Sequence, residues 1–395
     1  MAMGKSNYDK LGASASKAGL HKALDLAGAE HQASHFAQLT PDIAGDADYS
    51  SFLHCDGAGT KSVTAYIAAQ ESGDPKWYRG LAQDALVMNL DDVICLGKPE
   101  GLVVANLLNR NAQLVGDEVI AEIISSYIEL QKNLSNYDVN FTLGGGETAD
   151  CGDVTRTLAV DAVIAGRIAH SNLLSTDNIK PGQVIVGLSG AGKASWENIE
   201  NSGIGSNGLT LARHTLLKKE YCEKYPEVVD PNTDSSVVYT GPFAVDDNPN
   251  GLGMTVGEAL LSPTRTFAPV LIKIFESEFD KISACIHVSG GALSKVIRFG
   301  KGNIYVKDQL LPIPAIFNLI QETGNIPWKE MYQVFNMGQR MEVYCEQSAA
   351  DSIIKTSESM GVEAGIIGRV EKNPDSDSQN IVKVDSPNGS FEYQL

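Results

Sequence analysis

Residues able to do chemistry cluster where apolar runs meet glycine-rich turns carrying acids. The first stretch is His54-Cys-Asp-Gly-Ala-Gly-Thr-Lys61. Glycines after Asp56 let backbone N–H groups approach a phosphate closely. Asp56 could hold Mg2+, and Lys61 could neutralise phosphate oxygens. An ordinary Asp-Gly turn beside a surface lysine explains this stretch alone equally well. The second is Asn89-Leu-Asp-Asp92, in a segment whose Leu81, Ala85 and Met88 repeat at helical spacing. Adjacent acids on an apolar helix need a reason, because an unpaired buried carboxylate is costly. A metal supplies one; a solvent-facing position removes the need.

The third is Thr142-Leu-Gly-Gly-Gly-Glu-Thr-Ala-Asp150, where a strand runs into three glycines and then an acid. A mere turn rarely needs so much backbone entropy. Gly144, Gly146 and Ala149 match G-x-G-x-x-A, but that fingerprint requires a helix next, and another strand follows here. A Rossmann site is therefore rejected. Gly187-Leu-Ser-Gly-Ala-Gly-Lys193 fits G-x-x-x-x-G-K, yet Ala194 stands where a P-loop needs Ser or Thr. Gly205-Ser-Asn-Gly208, Ser262-Pro-Thr-Arg265 and His287-Val-Ser-Gly-Gly291 offer polar groups to a substrate. A single histidine is more often structural than catalytic, and no G-x-S-x-G marks a nucleophile.

The elements that must position these groups alternate. A helix is predicted over Lys17–Ala29. Strands are predicted over Tyr49–Cys55, Leu102–Leu108, Val139–Leu143 and Leu158–Ile168, with helices over Trp77–Leu96 and Gly116–Asn133. The polar segment Ser175–Gly182 is the expected linker. Beyond it come strands Val184–Leu188, Ala284–Val288, Arg340–Cys345 and Gly365–Val370. Helices are expected at Leu209–Leu217, Ala268–Phe279, Gly291–Arg298 and Ile313–Glu322. Tyr221–Gly257 is read as a polar surface excursion, and the last 25 residues as loosely packed. The expected division is 1–170 and 171–395, with the excursion at about 190–257.

With 395 residues and 43% apolar content, a large core is available. A net charge of −18 argues against a nucleic-acid or anionic-membrane partner. Six scattered cysteines form no C-x-x-C pair, which points to reduced thiols rather than a zinc or disulfide scaffold. No apolar run long enough for a signal peptide or membrane helix occurs, so a cytoplasmic protein is expected.

Taken in order, the motifs resemble one family, the phosphoribosylformylglycinamidine cyclo-ligases, or AIR synthetases. Asp56-Gly-Ala-Gly-Thr-Lys61 resembles D-G-V-G-T-K, and Gly144-Gly-Gly-Glu-Thr-Ala149 resembles G-G-E-T-A. Ser206-Asn-Gly208, Pro263-Thr-Arg265, His287-Val-Ser-Gly-Gly291 and Met331-Tyr-Gln-Val-Phe-Asn-Met-Gly338 resemble S-N-G, P-T-R, H-x-T-G-G and M-Y-x-x-F-N-x-G. There are departures. Asp91-Asp92 stands for an N-D pair, Gly205 for a frequent histidine, and Ser14 and Ser16 for aspartates of an N-terminal segment.

The resemblance implies an α/β (α+β) fold of two domains. An N-terminal β-rich domain forms a shared barrel across a homodimer, and a C-terminal α/β domain packs beside it. It implies ATP-dependent ring closure of formylglycinamidine ribonucleotide to aminoimidazole ribonucleotide, with ATP, Mg2+ and, as a further candidate, K+. By this resemblance Asp92, His287 and Lys61 are catalytic, and Asp56, Asp91, Asp92 and Glu147 hold metal. Asp56, Gly57, Gly59, Thr60, Lys61, Gly144, Gly145, Gly146, Glu147 and Thr148 meet the nucleotide. Ser206, Asn207, Gly208, Thr264, Arg265, Ser289, Gly290 and Gly291 meet the substrate. The alternatives are a sibling of the same fold, like selenophosphate synthetase or FGAM synthetase, or a nonenzymatic nucleotide-binding regulator.

Overall fold

The computed structural model describes residues 6–15, 18–27 and 34–394. A five-stranded sheet is built from β1 (Thr40–Pro41), β2 (Tyr49–Gly57), β3 (Glu100–Arg110), β4 (Thr142–Asp150) and β5 (Leu158–Ala169), in the order β1-β2-β5-β3-β4. β5 is antiparallel to β2 and β3, and β4 runs parallel to β3 at the edge. The helices of the first half are α1 (Asn7–Lys10), α2 (Ala18–Ala27), α3 (Lys61–Ser72), α4 (Gly80–Ile94) and α5 (Asp117–Ser135), of which α1 packs against the helix Leu209–Leu216 of the second half. Helix α4 covers β2 and β5. Val160, Ala162 and Ile164 are buried beneath it, while the residues between them are only half-buried. That alternation is what one covered face requires. The other face stays open, with Leu53 69%, Val103 42% and Leu107 36% exposed.

The second sheet joins β6 (Val184–Ser189), β9 (Ile282–His287), β10 (Asn303–Lys307), β11 (Gln339–Cys345), β12 (Ala364–Lys372), β13 (Ile381–Ser386) and β14 (Gly389–Tyr393). Its order is β14-β13-β10-β12-β6-β11-β9. A small hairpin, β7 (Ala191–Gly192) with β8 (Asn201–Ser202), stands apart. β6, β9 and β11 are buried at every residue; β6 and β9 are largely apolar, whereas β11 also buries Gln339, Arg340 and Glu342. The helices here are α6 (Leu209–Leu216), α7 (Glu220–Lys224), α8 (Val256–Leu261), α9 (Ala268–Glu278), α10 (Ala315–Gly324), α11 (Trp328–Val334) and α12 (Gln347–Ser359).

Several expectations need correction. The helix expected over Lys17–Ala29 runs Ala18–Ala27, with Lys17, Gly28 and Ala29 outside the described residues. The expected strand Val139–Leu143 is displaced, so Gly144–Gly146 lie inside β4 rather than in a turn after it. A Cβ on Gly146 would lie 2.0 Å from Asn106 Oδ1, so close pairing with β3 requires glycine there. The expected helix Gly291–Arg298 is a 3-10 segment, Ala292–Arg298. The excursion is not wholly superficial, since Val228, Val238 and Tyr239 are buried. The C-terminal residues are not loose. β13 pairs parallel with β10, and Val382 and Val384 are fully buried while the lysine between them points outward. Among the described residues, no helix is long and apolar enough to cross a membrane.

Candidate active site

A cavity of about 400 Å³ opens where the two sheets' connecting segments meet. From the end of β2 and the turn before α3 it receives Asp56, Gly57, Gly59 and Thr60, and from α4 Met88 and Asp92. From the second half come Ser206, Asn207, Gly208, Ser289 and Gly290. Four stretches far apart in sequence therefore share one space. Tyr8 and Ala13 also line it. Helix α1 is pinned there by Glu330, which accepts the Tyr8 N–H at 2.9 Å and the Asn7 amide at 3.1 Å. Lys295 and Arg298 complete the second-half wall.

Asp92 is clasped by two imidazoles. His287 Nδ1 lies 2.6 Å from its Oδ1, and His54 Nε2 lies 3.4 Å from its Oδ2. Burial opposes the charge on Asp92. The field of Lys295 and the hydrogen bonds of His287 and His54 outweigh it and hold the carboxyl well below its usual range. Burial pushes His287 the other way, down to about 4, so it is neutral at pH 7. Its Nδ1 carries the proton toward Asp92, and its buried Nε2 has no hydrogen-bond partner among the described residues. The buried Asn207 Oδ1 also lacks one. His54 is fixed by Asn89, whose amide donates to the carbonyls of Asp56, Ala85 and Ala162 and accepts at Oδ1 from His54 Nδ1.

Other expected site residues serve assembly instead. Lys61, expected to face phosphate, is fully buried. Its ammonium donates to Asp84 at 2.8 Å, to Ser262 O at 2.5 Å and to Gly205 O at 3.3 Å, which accounts for its three donors. Thr264 also turns inward, its N–H and hydroxyl meeting the same Asp84 oxygen at 2.8 and 2.6 Å. Asp91, expected at the metal, is fully buried and accepts the Thr266 hydroxyl and the Phe267 N–H. Burial pushes it up to about 7 in spite of those bonds.

Arg265, expected at the substrate, is 1% exposed. It grips Glu197 through Nε and Nη2 and donates to the carbonyls of Ser189, Ala191 and Gly192. Those carbonyls belong to the P-loop-like stretch. They point at a cation, the opposite polarity from a phosphate cradle, and no helix follows. At Gly205 an added Cβ would lie 2.3 Å from Arg340 Nη1, so the guanidinium fills the place of a side chain.

Glu147 and the Gly144–Thr148 run do not reach the cavity. Cross-strand register aligns Asp56 with Ala162, Asn106 and Gly146, and Gly57 with Asp161, Leu107 and Glu147. Side chains alternate between faces along a strand. Glu147 therefore lies on the open face, opposite Asp56 and three strand spacings, about 14 Å, away. Among the described residues, no three of His, Cys, Asp and Glu gather as a metal site. The four-acid cluster expected from sequence is not assembled within one chain, and only Asp56 and Asp92 line the cavity. Gly291 stands behind it as the left-handed cap of the 3-10 segment.

Asp84, Arg340, His54, Lys295 and Arg298 were not singled out by sequence. For Asp84 a signal exists: it precedes Asp91 by seven residues, two helical turns, on the same side of α4. Beside the cavity, Arg213 donates to Thr60 O at 3.1 Å and stands next to His214.

Two outcomes follow from this geometry. Lys61→Met leaves the buried Asp84 carboxylate uncompensated, which costs about 3–5 kcal/mol. Chemical denaturation should show that loss; an unchanged midpoint with lost nucleotide binding would return Lys61 to the phosphate. Burial and the neighbouring Arg213 push His214 down to about 3 from an ordinary 6.5. The unfolded chain then takes up a proton that the folded chain refuses as pH falls below about 6.5. His214 should therefore remove about 2–3 kcal/mol between pH 6.5 and 4.5. His214→Phe should flatten the stability–pH slope over that window, and an identical slope would contradict the assignment.

Comparison with known proteins agrees with this architecture. The AIR synthase related protein N-terminal domain matches residues 39–168, and the corresponding C-terminal domain matches residues 180–379. A phosphoribosylformylglycinamidine cyclo-ligase of Methanococcus vannielii is 30% identical over 334 residues, 84% of this chain and 81% of that protein. The Methanocaldococcus jannaschii protein of the same name is 28% identical, covering 85% and 82%. Among solved structures, a chain of a HypE–HypF complex aligns with TM-score 0.54 at 15% identity, over 95% of this chain and 98% of that one. AaThiL complexed with AMPPCP and TMP gives 0.52 at 13% identity, over 95% of each. These two share the fold. On the domain matches and the 30% identity over most of both chains, this protein belongs to the AIR synthase related family.

Proposed function

We propose that this chain is an ATP-dependent cyclo-ligase that converts formylglycinamidine ribonucleotide to aminoimidazole ribonucleotide, ADP and phosphate in purine biosynthesis. The observation that carries this reading is the single cavity into which Asp56, Thr60, Asn207 and Ser289 converge from both halves. The cyclo-ligase relatives supply the reaction. An amide oxygen leaves poorly. Transfer of the γ-phosphoryl to it gives an imidate phosphate, and the amidine nitrogen then attacks that carbon and expels phosphate. Such a reaction depends on positioning and charge neutralisation rather than on a protein nucleophile.

Asp56 is the carboxylate we assign to Mg2+, since Asp92 is held by two histidines. One or two carboxylates suffice for Mg2+ when phosphates and waters fill its remaining positions. When bound, the ion offsets negative charge on the transferring phosphate. Thr60 and the Gly57–Gly59 backbone border the same space and suit the triphosphate. Asn207 Oδ1, buried and without a partner among the described residues, suits an amidine N–H of the substrate. His287, expected to be catalytic, is fully buried behind Asp92 and does not line the cavity, so we assign it to fixing the Asp92 carboxylate rather than to taking a proton from the substrate.

We take residues 1–170 as the nucleotide-binding and dimerisation half and 171–395 as its partner half. The open sheet face, with Leu53 on β2 and Val103 and Leu107 on β3, the two strands that flank β5, suits a second copy of the chain. In a homodimer built on that face, Glu147 and the Gly144–Thr148 edge become subunit-boundary residues, which would bring them toward a neighbouring cavity.

The test is purified protein with formylglycinamidine ribonucleotide, ATP and Mg2+, following aminoimidazole formation. Asp92→Asn should lower kcat by at least about 100-fold with an unchanged melting curve. Near-wild-type turnover by that variant would refute the assignment, and ATP binding without turnover by wild type would favour a nonenzymatic nucleotide-binding protein. Sedimentation of Leu53→Asp should show monomers where wild type shows dimers; wild-type monomers would remove the homodimer.

A further inference from the structure

The two walls of the cavity carry opposite charge. Asp56 and Asp92 stand on the first-half wall, Lys295 and Arg298 on the second-half wall. Both cations belong to the 3-10 segment Ala292–Arg298. In that geometry residues three apart eclipse one another, so these two side chains leave the backbone on one side. Both reach the cavity. Lys295 is held at the wall: its Nζ donates to Ser289 Oγ at 2.5 Å and lies 4.3 Å from the centre of the Phe36 ring. Ser289 and Gly290 border the cavity beside it. The other cations of the recognisable motifs are engaged elsewhere, Lys61 with Asp84 and two carbonyls, Arg265 with Glu197 and three carbonyls.

A phosphate that carries no metal is repelled by the Asp56–Asp92 wall, whereas a metal-bound triphosphate is drawn to it. Two phosphorylated ligands entering this cavity are therefore sorted by charge. We infer that Lys295 and Arg298 form the subsite for the metal-free phosphomonoester of the ribonucleotide substrate, leaving the acidic wall to the metal-bound nucleotide. This rests on the cyclo-ligase reading for the identity of the substrate. The chemistry is that of a dianion met by a guanidinium fork and an ammonium point charge, with the Ser289 hydroxyl between the loop and the ammonium.

Titration calorimetry with two probes separates the sources of phosphate: ribose 5-phosphate without metal, and MgADP. Lys295→Met and Arg298→Met should each weaken ribose 5-phosphate by at least about tenfold and leave MgADP within about twofold. Lys295→Arg, which keeps the charge, should retain most of the affinity. In turnover, both Met variants should raise KM for the ribonucleotide far more than KM for ATP. Equal weakening of both probes, weakening of MgADP alone, or no weakening in either variant overturns the subsite. The two variants are read separately, each with a melting curve, so one that fails to fold leaves the other to decide. Wild type that binds both probes but does not cyclise, with ribose 5-phosphate lost in the Met variants, overturns the cyclo-ligase reading and upholds the subsite. Turnover with an unchanged ribonucleotide KM in the Met variants overturns the subsite alone.

Discussion

One carboxylate oxygen, Asp84 Oδ1, fastens the two halves of this molecule. It accepts from Lys61, from the N–H and hydroxyl of Thr264, and at 3.2 Å from the Ser206 hydroxyl. Helix α3, helix α4, the Ser-Asn-Gly turn and the Pro-Thr-Arg strap thus share a single anchor that water does not reach. Two turns on, Asp91 repeats the arrangement with Thr266 and Phe267. The ridge of α4 reads the segment 262–267 as a template reads its copy, and the cavity is the space left between the parts so fixed.

Three acids of one helix meet burial in three ways. Asp84 takes an ammonium, Asp91 takes backbone and hydroxyl donors, and Asp92 takes two imidazoles. The consequences differ because the partners differ. Donors without full charge leave Asp91 raised to about 7, whereas imidazoles aided by the field of Lys295 keep Asp92 ionised. Only the last borders the cavity, so helix position alone separates a fastening acid from one available to chemistry.

Much of the fold was legible. The alternation along β5 and the largely apolar β6 and β9 are direct records of one-sided and two-sided burial, whereas β11, equally buried, carries Gln339, Arg340 and Glu342. Helix α3 and helix α12 escaped because small residues such as Ala65, Ala68, Ala349 and Ala350 form much of their buried faces and give weak periodic contrast. Within the site, Asp56, Thr60, Asn207 and Ser289 were identified from glycine-flanked polar turns, and the fold brings them together. Lys61, Thr264 and Arg265 stand in the same kind of turn yet hold the frame. A cation beside a glycine looks alike whether it will meet a phosphate or a buried carboxylate. Lys295 and Arg298 were passed over because a 3-10 spacing carries no familiar motif.

The missing side chain at Gly205 has a further meaning. Arg340 occupies the volume that any larger residue there would claim, 2.3 Å from where its first carbon would sit. A side chain at 205 would have to push that guanidinium aside, and its flexible end can give way. It would also have to accept the left-handed backbone that glycine holds there at φ +70°. The backbone therefore favours glycine at this turn even if the arginine swings away.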